Sequence, residues 1–207
     1  MHNRPEWSAH NSAVFITGAT GFIGQHLVTT LLAAGYRVHA QIRPGRQHDE
    51  RLPPACQQVP VGLTDSGKLA GILAEVDAVI YCAGSVRGRR ATDFARANID
   101  GVSAMAQALE HSVKTPPLLL LSSLAARQPQ LSAYAYSKNA GEQVLLDRPA
   151  LPWTIFRPPA VYGPGDKEML SLLKLARMGF IVQPGPREQR LSLLHVEDLA
   201  RAVEAWL

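Results

Sequence analysis

Cysteine is scarce in this chain of 207 residues, which contains only two. Cys56 and Cys82 are too few for a disulfide framework or for a zinc site built on several thiolates. The seven histidines show no metal-ligand spacing either. The sequence therefore predicts neither a disulfide-stabilised fold nor a metal site.

Long apolar runs are missing as well. No stretch approaches the roughly 20 residues that a membrane-spanning helix needs, and the polar start of the chain lacks the apolar core of a signal peptide. We therefore expect residues 1–12 to be a flexible tail on a cytoplasmic protein that does not bind membranes. A net charge of +4 suits an anionic ligand, but it is too small and too scattered to indicate nucleic-acid binding.

The chain does contain enough apolar sequence for a core, since 46% of its residues are hydrophobic and 18% are charged. Short apolar runs, typical of buried strands, alternate with longer stretches of helical spacing. The predicted strands are residues 13–17, 37–42, 57–61, 77–81, 118–121 and 153–156. The predicted helices are residues 22–34, 66–74, 91–111, 132–146 and 196–207. This alternation predicts an α/β Rossmann fold, a doubly wound parallel sheet in the strand order 3-2-1-4-5-6.

The strongest local motif is TGATGFIG, which runs from Thr17 to Gly24 between the first strand and the first helix. In this context Gly18 permits a tight turn, Gly21 lets the backbone approach a pyrophosphate, and Gly24 lets the helix pack closely on the sheet. The free N–H groups at the start of the helix then face the phosphates. The motif predicts a dinucleotide-binding domain over residues 13–157, although a glycine-rich turn without a ligand has the same spacing.

Tyr134 and Lys138 are four residues apart on a predicted helix and so share one face. Hydride transfer at a carbon that bears oxygen needs a proton donor or acceptor at that oxygen. Tyrosine is a poor base at neutral pH, and a nearby ammonium lowers its pKa by favouring the phenolate. The pair therefore predicts an acid/base site, and the neighbouring Tyr136 has no lysine at the same spacing.

These two motifs, together with five further matches, resemble the extended, epimerase/dehydratase-like branch of the short-chain dehydrogenase/reductase family. The further matches are YCAG at 81–84, Asn98, LSS at 121–123, RPPAVYGP at 157–164 and HVEDLA at 195–200. The resemblance covers nearly the whole chain after the tail. It implies that NAD or NADP is the cofactor, that Ser123 orients the substrate oxygen, and that Tyr134 and Lys138 are catalytic. The expected cofactor contacts are Gly18, Thr20, Gly21, Phe22, Ile23, Gly24, Arg43, Leu63, Ala83, Gly84, Tyr134, Lys138 and Pro158.

The end of the second strand predicts which of the two cofactors is preferred. A site for NAD usually has a carboxylate there that binds the ribose hydroxyls. Here Ile42 takes that place and Arg43 follows, while Asp49 and Glu50 come several residues later. An arginine can pair with the 2′-phosphate of NADP, so we expect NADP to be preferred over NAD.

The last part of the chain predicts where the substrate binds. Residues 158–207 are rich in proline and glycine and predict a smaller substrate-side region, whose last helix returns to the main domain. The resemblance implies that this region continues further, so we expect the chain to be part of a longer protein.

We expect an oxidoreductase or epimerase that acts on a nucleotide-sugar or a small carbonyl or hydroxyl compound, and a homodimer is compatible with it. The alternative is a non-catalytic dinucleotide-binding or redox-sensing protein. His195 and Asp198 could form a hydrolase triad with Ser123, but no G-x-S-x-G elbow surrounds the serine.

Overall fold

A computed structural model describes residues 12–88, 90–180 and 190–207. Its main sheet has six parallel strands in the order β3-β2-β1-β4-β5-β6, which confirms the predicted order. The strands are β1 (Ala13–Thr17), β2 (Arg37–Ile42), β3 (Gln57–Pro60), β4 (Ala78–Tyr81), β5 (Leu118–Leu121) and β6 (Trp153–Phe156). Because all six run in one direction, their carboxyl ends form a single edge of the sheet, where ligands of such folds bind.

Helices cover both faces of this sheet. They are α1 (Phe22–Ala33), α2 (Ser66–Leu73), α3 (Ala91–Ala95), α4 (Gly101–His111), α5 (Ala133–Leu146), α6 (Leu170–Arg177) and α7 (Val196–Trp206). Alternate residues of β1 point to opposite faces: Phe15 packs in the core with α2 and α4, whereas Val14 and Ile16 pack with α1 and α7. Burial on both sides explains why the strands are continuously apolar. Within the described residues no helix is long and apolar enough to cross a bilayer.

The helix predicted over residues 91–111 is interrupted by a π-helical turn, Arg96–Asp100. The amide of Gly101 donates to the carbonyl of Arg96, five residues back. The Tyr81 hydroxyl donates to the Ala97 carbonyl at 2.7 Å. A Cβ at Gly101 would overlap that hydroxyl, so a glycine is required where Tyr81 approaches the helix. The sequence did not predict the turn, because a single turn of five residues is too short to show a period of its own.

The substrate-side region contains three elements that the sequence reading did not predict. Two three-residue strands, β7 (Ala160–Tyr162) and β8 (Leu193–His195), pair in parallel, and α6 lies between them in the chain. Each strand is too short to show a period, and prolines surround β7. The last helix, α7, packs against α1 through Leu199 and Val203. The predicted tail lies outside the described residues except for Ser12, and so do residues 181–189 with their two prolines.

Candidate active site

The phosphate-loop glycines are required by close contacts at the end of β1. Gly18 has a φ of +65°, and a Cβ there would lie 2.7 Å from the Cα of Ala83, which follows β4. A Cβ at Gly24 would overlap the Gly18 carbonyl oxygen. The loop therefore lies directly on the neighbouring strand end and on the start of α1, as the sequence predicts for a backbone that approaches a pyrophosphate.

Two side chains that the sequence reading did not select hold this loop in place. The Gln41 amide donates to the carbonyls of Ile42 (2.9 Å) and Val61 (2.8 Å), and its oxygen accepts from the Gly18 amide at 3.2 Å. The Thr17 hydroxyl oxygen accepts from the Ala83 amide at 3.1 Å. Gln41 thereby joins β2 and the segment after β3 to the phosphate loop. The signal that could have found it is a polar side chain one residue from the carboxyl end of β2.

A cavity of about 330 Å³ lies beside the phosphate loop at the end of β2. It is lined by Thr20, Gly21, Arg43, Arg46, Asp49 and Arg51. The predicted Arg43 is thus joined by two further arginines, because the loop after β2 folds back over Thr20. The Arg51 guanidinium also donates to the Thr20 carbonyl at 3.2 Å.

This cavity corrects one sequence expectation, namely that no acid reaches the ribose end of the site. Asp49 lies in the cavity wall and accepts from Arg51 Nε at 2.8 Å and Arg51 Nη2 at 2.6 Å. Arg46 is its second partner, at 3.3 Å. The hydrogen bonds from Arg51 are the main cause that lowers the pKa of Asp49 to about 2. The acid is therefore already paired with arginines, unlike a carboxylate that is free to bind ribose hydroxyls.

Ser123 and Tyr134 come together because the loop between them is tightly wound. Two 3₁₀ turns, Leu124–Arg127 and Pro129–Leu131, compress the 11-residue interval, and the Ser123 oxygen caps the first by accepting from the Ala125 amide at 3.2 Å. Tyr134 is half-buried, with the Ser123 side chain near enough to lower its pKa, whereas Tyr136 is 58% exposed. The two neighbouring tyrosines of α5 thus lie in different environments.

The pKa of Tyr134 differs in direction from the sequence expectation. Burial raises it, and the hydrogen bond with Ser123 offsets the rise only in part. Lys138 is not among the groups that shift it. In this state the phenol keeps its proton at neutral pH, which equips Tyr134 to donate a proton rather than to accept one.

Lys138 lies beneath the site, between the ends of β4 and β5. Its Nζ donates to the Leu121 carbonyl at 2.9 Å, and a Cβ at Gly84 would lie 3.3 Å from it. Burial lowers the pKa of Lys138 to about 8, while the neighbouring Cys82 and Glu142 act in the opposite direction. Lys138 is therefore still mostly a cation at neutral pH, but a readily titrated one.

Asn98 sits in the π turn and links two parts of the site. Its Nδ2 donates to the Ser85 carbonyl at 3.1 Å and to the Ser137 hydroxyl at 2.9 Å, and its Oδ1 accepts from the Ser85 amide at 3.1 Å. These bonds reach from the helix to the loop after β4 and to α5. From the sequence Asn98 is only one of the residues that carry the family resemblance, and the structure shows which groups it contacts.

The remaining predicted positions lie around the same edge. The Pro158 carbonyl accepts from the Leu124 amide at 2.9 Å, beside the Ser123 turn. Phe22 and Ile23 are half-buried at the start of α1, and Leu63 packs on the core near Gly101. His195 instead stacks edge-on against Tyr162, with ring centroids 5.2 Å apart, and caps α7, which favours a structural role over a hydrolytic one.

Comparison with known proteins decides the family. The model of the NAD dependent epimerase/dehydratase family matches residues 14–207. The chain belongs to the NAD-dependent epimerase/dehydratase family. This confirms the resemblance drawn from the motifs and makes an NAD-type dinucleotide the family's cofactor.

Three members and neighbours illustrate the likeness. The chain is 38% identical to a ceramide reductase of Caulobacter vibrioides over 93% of this chain and 60% of that protein. It is 26% identical to MoeE5, solved with UDP-glucuronic acid and NAD, over 93% of this chain and 71% of that one, with a TM-score of 0.72. The Bordetella bronchiseptica enzyme WbmH, solved with NAD+, has a TM-score of 0.77 at 24% identity, over 95% of this chain and 72% of that one. The last likeness shows the fold alone.

The chain therefore spans 60% of the length of the ceramide reductase that it matches. Within that span the geometry fits the family's dinucleotide, because the phosphate loop lies at the start of α1 and beside an arginine-lined cavity. Among the described residues no cluster of side chains could hold a metal ion.

Proposed function

We propose that this chain is the dinucleotide-binding and catalytic part of a reductase that prefers NADP and acts on a carbonyl group. One observation carries the proposal: Ser123, Tyr134 and Lys138 meet at the carboxyl edge of the sheet, next to the phosphate loop. That arrangement places a proton donor, a polarising hydroxyl and a cation beside a dinucleotide cradle.

The chemistry divides between the cofactor and this chain. A bound nicotinamide would supply the hydride to the carbonyl carbon. Tyr134 donates its phenolic proton to the carbonyl oxygen, and Ser123 donates a hydrogen bond to the same oxygen and polarises it. The Lys138 cation stabilises the phenolate that Tyr134 becomes, and it is held in place by the Leu121 carbonyl.

The protonation of Tyr134 supports the reductive direction. Burial raises the pKa of a phenol that is already neutral at neutral pH, and a neutral phenol is the form that gives a proton to a developing alkoxide. Oxidation of an alcohol would instead need the phenolate at the start of the reaction.

The arginine-lined cavity supports the preference for NADP. Arg46 and Arg51 share Asp49, whereas among the described residues the Arg43 side chain has no hydrogen-bond or ion-pair partner. Three guanidinium groups around one carboxylate leave net positive charge, which suits a 2′-phosphate. The ribose of NAD, which carries two hydroxyls, would gain much less binding free energy from this positive charge.

The substrate class rests on the relatives. The ceramide reductase, at 38% identity, favours reduction of a carbonyl on a lipid-like molecule. A second candidate is a nucleotide-sugar epimerase, which the UDP-glucuronic acid bound by MoeE5 favours. The two differ in outcome, because a reductase consumes one NADPH per turnover and an epimerase returns the hydride to its substrate.

The test is Tyr134→Phe in the natural protein that carries this chain, assayed with NADPH and NADH against lipid ketones and nucleotide-4-keto sugars. We expect kcat to fall roughly a hundredfold or more, because the ring stays and only the proton donor is lost. Cofactor affinity should stay nearly unchanged, as measured by fluorescence titration.

Tyr136→Phe is the matched control, since it removes a hydroxyl from the same helix at a solvent-exposed position. It should leave kcat within about twofold of the wild type. Loss of activity in Tyr136→Phe with retention in Tyr134→Phe would refute the assignment. Tight cofactor binding without turnover on any substrate would favour the non-catalytic alternative.

A further inference from the structure

A fully buried carboxylate lies behind the catalytic side chains. Glu142 is on α5, four residues after Lys138 and eight after Tyr134, so the three share one face of the helix. Its exposure is 0%, lower than that of any other charged residue in the described core. A carboxylate this deep persists as an anion only when donors and cations surround it.

Glu142 has such partners, and they come from the ends of two strands. The Ser122 hydroxyl, at the end of β5, makes a short hydrogen bond to Oε1. Arg157 follows β6 and donates from Nε to both oxygens at 3.0 and 3.1 Å, and from Nη2 to Oε2 at 2.5 Å. Ser122 directly precedes Ser123, and Arg157 directly precedes Pro158. The carboxylate thus fastens α5 to the strand ends that carry the site.

The same strand end holds Lys138, whose Nζ donates to the Leu121 carbonyl. The titratable groups that act on this ammonium are Glu142 from α5 and Cys82 from the end of β4, with Arg157 behind Glu142. Tyr134 is one helical turn before Lys138 on α5. Cys82 and Tyr134 are neutral at neutral pH because burial raises the pKa of both. The Arg157 side chain is 43% exposed, so water screens its repulsion of Lys138. Glu142 is therefore the one anion of this group.

We propose that Glu142 is a positioning residue that keeps the Lys138 ammonium in its charged form at the end of β5. This role rests on the proposed function, in which that cation stabilises the Tyr134 phenolate. Burial alone favours neutral lysine and lowers the pKa of Lys138, and Glu142 opposes this. A purely structural Glu142–Arg157 pair would hold the strands together and leave the titration of Lys138 unaffected.

The test is a direct titration of Lys138 by NMR in the full chain labelled with ¹³C at the lysine ε-carbons. The chain has five lysines, so the resonance is assigned by its loss in Lys138→Arg. We expect a titration midpoint near pH 8 in the wild type. In Glu142→Gln, which keeps the shape of the side chain, the midpoint should fall by about one pH unit, a tenfold loss of proton affinity.

Glu110→Gln is the matched control, because Glu110 also accepts from an arginine Nε at 3.0 Å, that of Arg148, but at a partly exposed site. Its Lys138 midpoint should equal that of the wild type. An unchanged midpoint in Glu142→Gln would overturn the proposal. If that variant does not fold, Glu142→Gln with Arg157→Met removes both members of the Glu142–Arg157 ion pair and should still lower the midpoint, because the repulsion of Lys138 by Arg157 was screened. An unchanged value there also overturns the proposal.

The titration needs neither cofactor nor substrate, so it stays decisive even if the proposed reductase activity fails. Where turnover is measured, the alkaline limb of kcat should move to lower pH in Glu142→Gln and stay in place in Glu110→Gln. Loss of turnover with an unmoved Lys138 midpoint would mean that the reaction depends on Glu142 for packing alone.

Discussion

Gln41 and Asp49 are single polar residues that the fold buries beside the phosphate loop, at 6% and 4% exposure. Both contribute through the hydrogen bonds that they make and not only through packing. The Gln41 side-chain oxygen accepts from the Gly18 amide in the phosphate loop. Asp49 accepts from Arg51, which also donates to the carbonyl of Thr20. At this scale the site depends on a few buried polar atoms that all have hydrogen-bond partners, because an unpaired buried polar group costs free energy.

Arg43 decides the cofactor preference in our proposal. Arg43→Ala should weaken NADPH binding about tenfold or more, since a charge-assisted hydrogen bond to phosphate is lost. NADH binding should change little, because NADH has no 2′-phosphate. Isothermal titration with both cofactors measures the difference.

Arg148→Ala is the control for this substitution. Arg148 follows α5 near the start of β6, at the opposite side of the sheet from β2, and its guanidinium donates to Glu110 and to the Val144 carbonyl. It should alter neither affinity. Equal weakening of NADPH and NADH by Arg43→Ala would show that Arg43 does not read the 2′-phosphate.

Asp49 should make stability depend on pH in the acid range. Its pKa is lowered from 3.8 to about 2 in the folded chain, so the folded state binds its proton less readily than the unfolded state does. Its contribution is complete above pH 3.8 and is lost as the pH falls toward 2. In Asp49→Asn the free energy of unfolding, measured by urea denaturation, should fall less steeply over this interval. An identical slope in variant and wild type would contradict the assignment.

At the scale of elements, the position of each site residue follows from how a helix begins. Ser132 caps α5 by accepting from the Ala135 amide at 3.0 Å, and this start sets which residues of α5 face inward. Tyr134, Lys138 and Glu142 then face the strand ends together. The start of α1 is fixed by a different means, the packing of Gly24 on the phosphate loop.

Gly24→Ala should therefore destabilise the chain and weaken cofactor binding. Its Cβ would overlap a backbone oxygen, which cannot move aside as a side chain would, and such overpacking costs about 1–3 kcal/mol. Thermal denaturation and cofactor titration measure the two effects.

Gly71→Ala is the matched control within a helix. A Cβ at Gly71, in α2, meets nothing within 4 Å. The substitution should stabilise the chain by about 0.5–1 kcal/mol, because alanine is the better helix former. Equal destabilisation by both variants would show that the effect at Gly24 is not one of close packing.

At the scale of the whole molecule, the substrate-side region leaves apolar surface open to water. The exposed apolar residues of this region are Leu170, Leu175, Met178, Phe180, Leu191 and Leu193. A patch of this kind usually marks an interaction site or a surface that further polypeptide covers. Together with the 60% coverage of the ceramide reductase, it supports our expectation that further polypeptide completes the substrate lobe.

This patch should bind a hydrophobic dye. Met178→Ser with Phe180→Ser should lower the fluorescence of bound ANS markedly and leave the melting temperature nearly unchanged, since both side chains are more than 60% exposed. Val113→Ser is the control, because Val113 is 96% exposed and lies outside the patch. Equal dye binding in all three proteins would mean that the patch is not a continuous apolar surface.

The sequence predicted the six-stranded order and the ends of most elements, because short apolar strands, helical spacing and glycine turns are local properties. It also selected Ser123, Tyr134 and Lys138 as one constellation, and their catalytic roles stay predictions. It missed Gln41, Arg46, Arg51 and Glu142, which carry no motif. Their importance arises from groups distant in the chain, such as Val61 for Gln41 and Arg157 for Glu142.

By itself, then, the sequence determined the Rossmann sheet, the family and the dinucleotide cradle, since these follow from patterns within about 20 residues. The tertiary structure alone decided which charges meet. It brought Asp49 between two arginines, raised the pKa of Tyr134 by burial, and placed Glu142 behind Lys138. The physical reason is that pKa values and ion pairs depend on burial and on distances through space, neither of which the order of residues along the chain specifies.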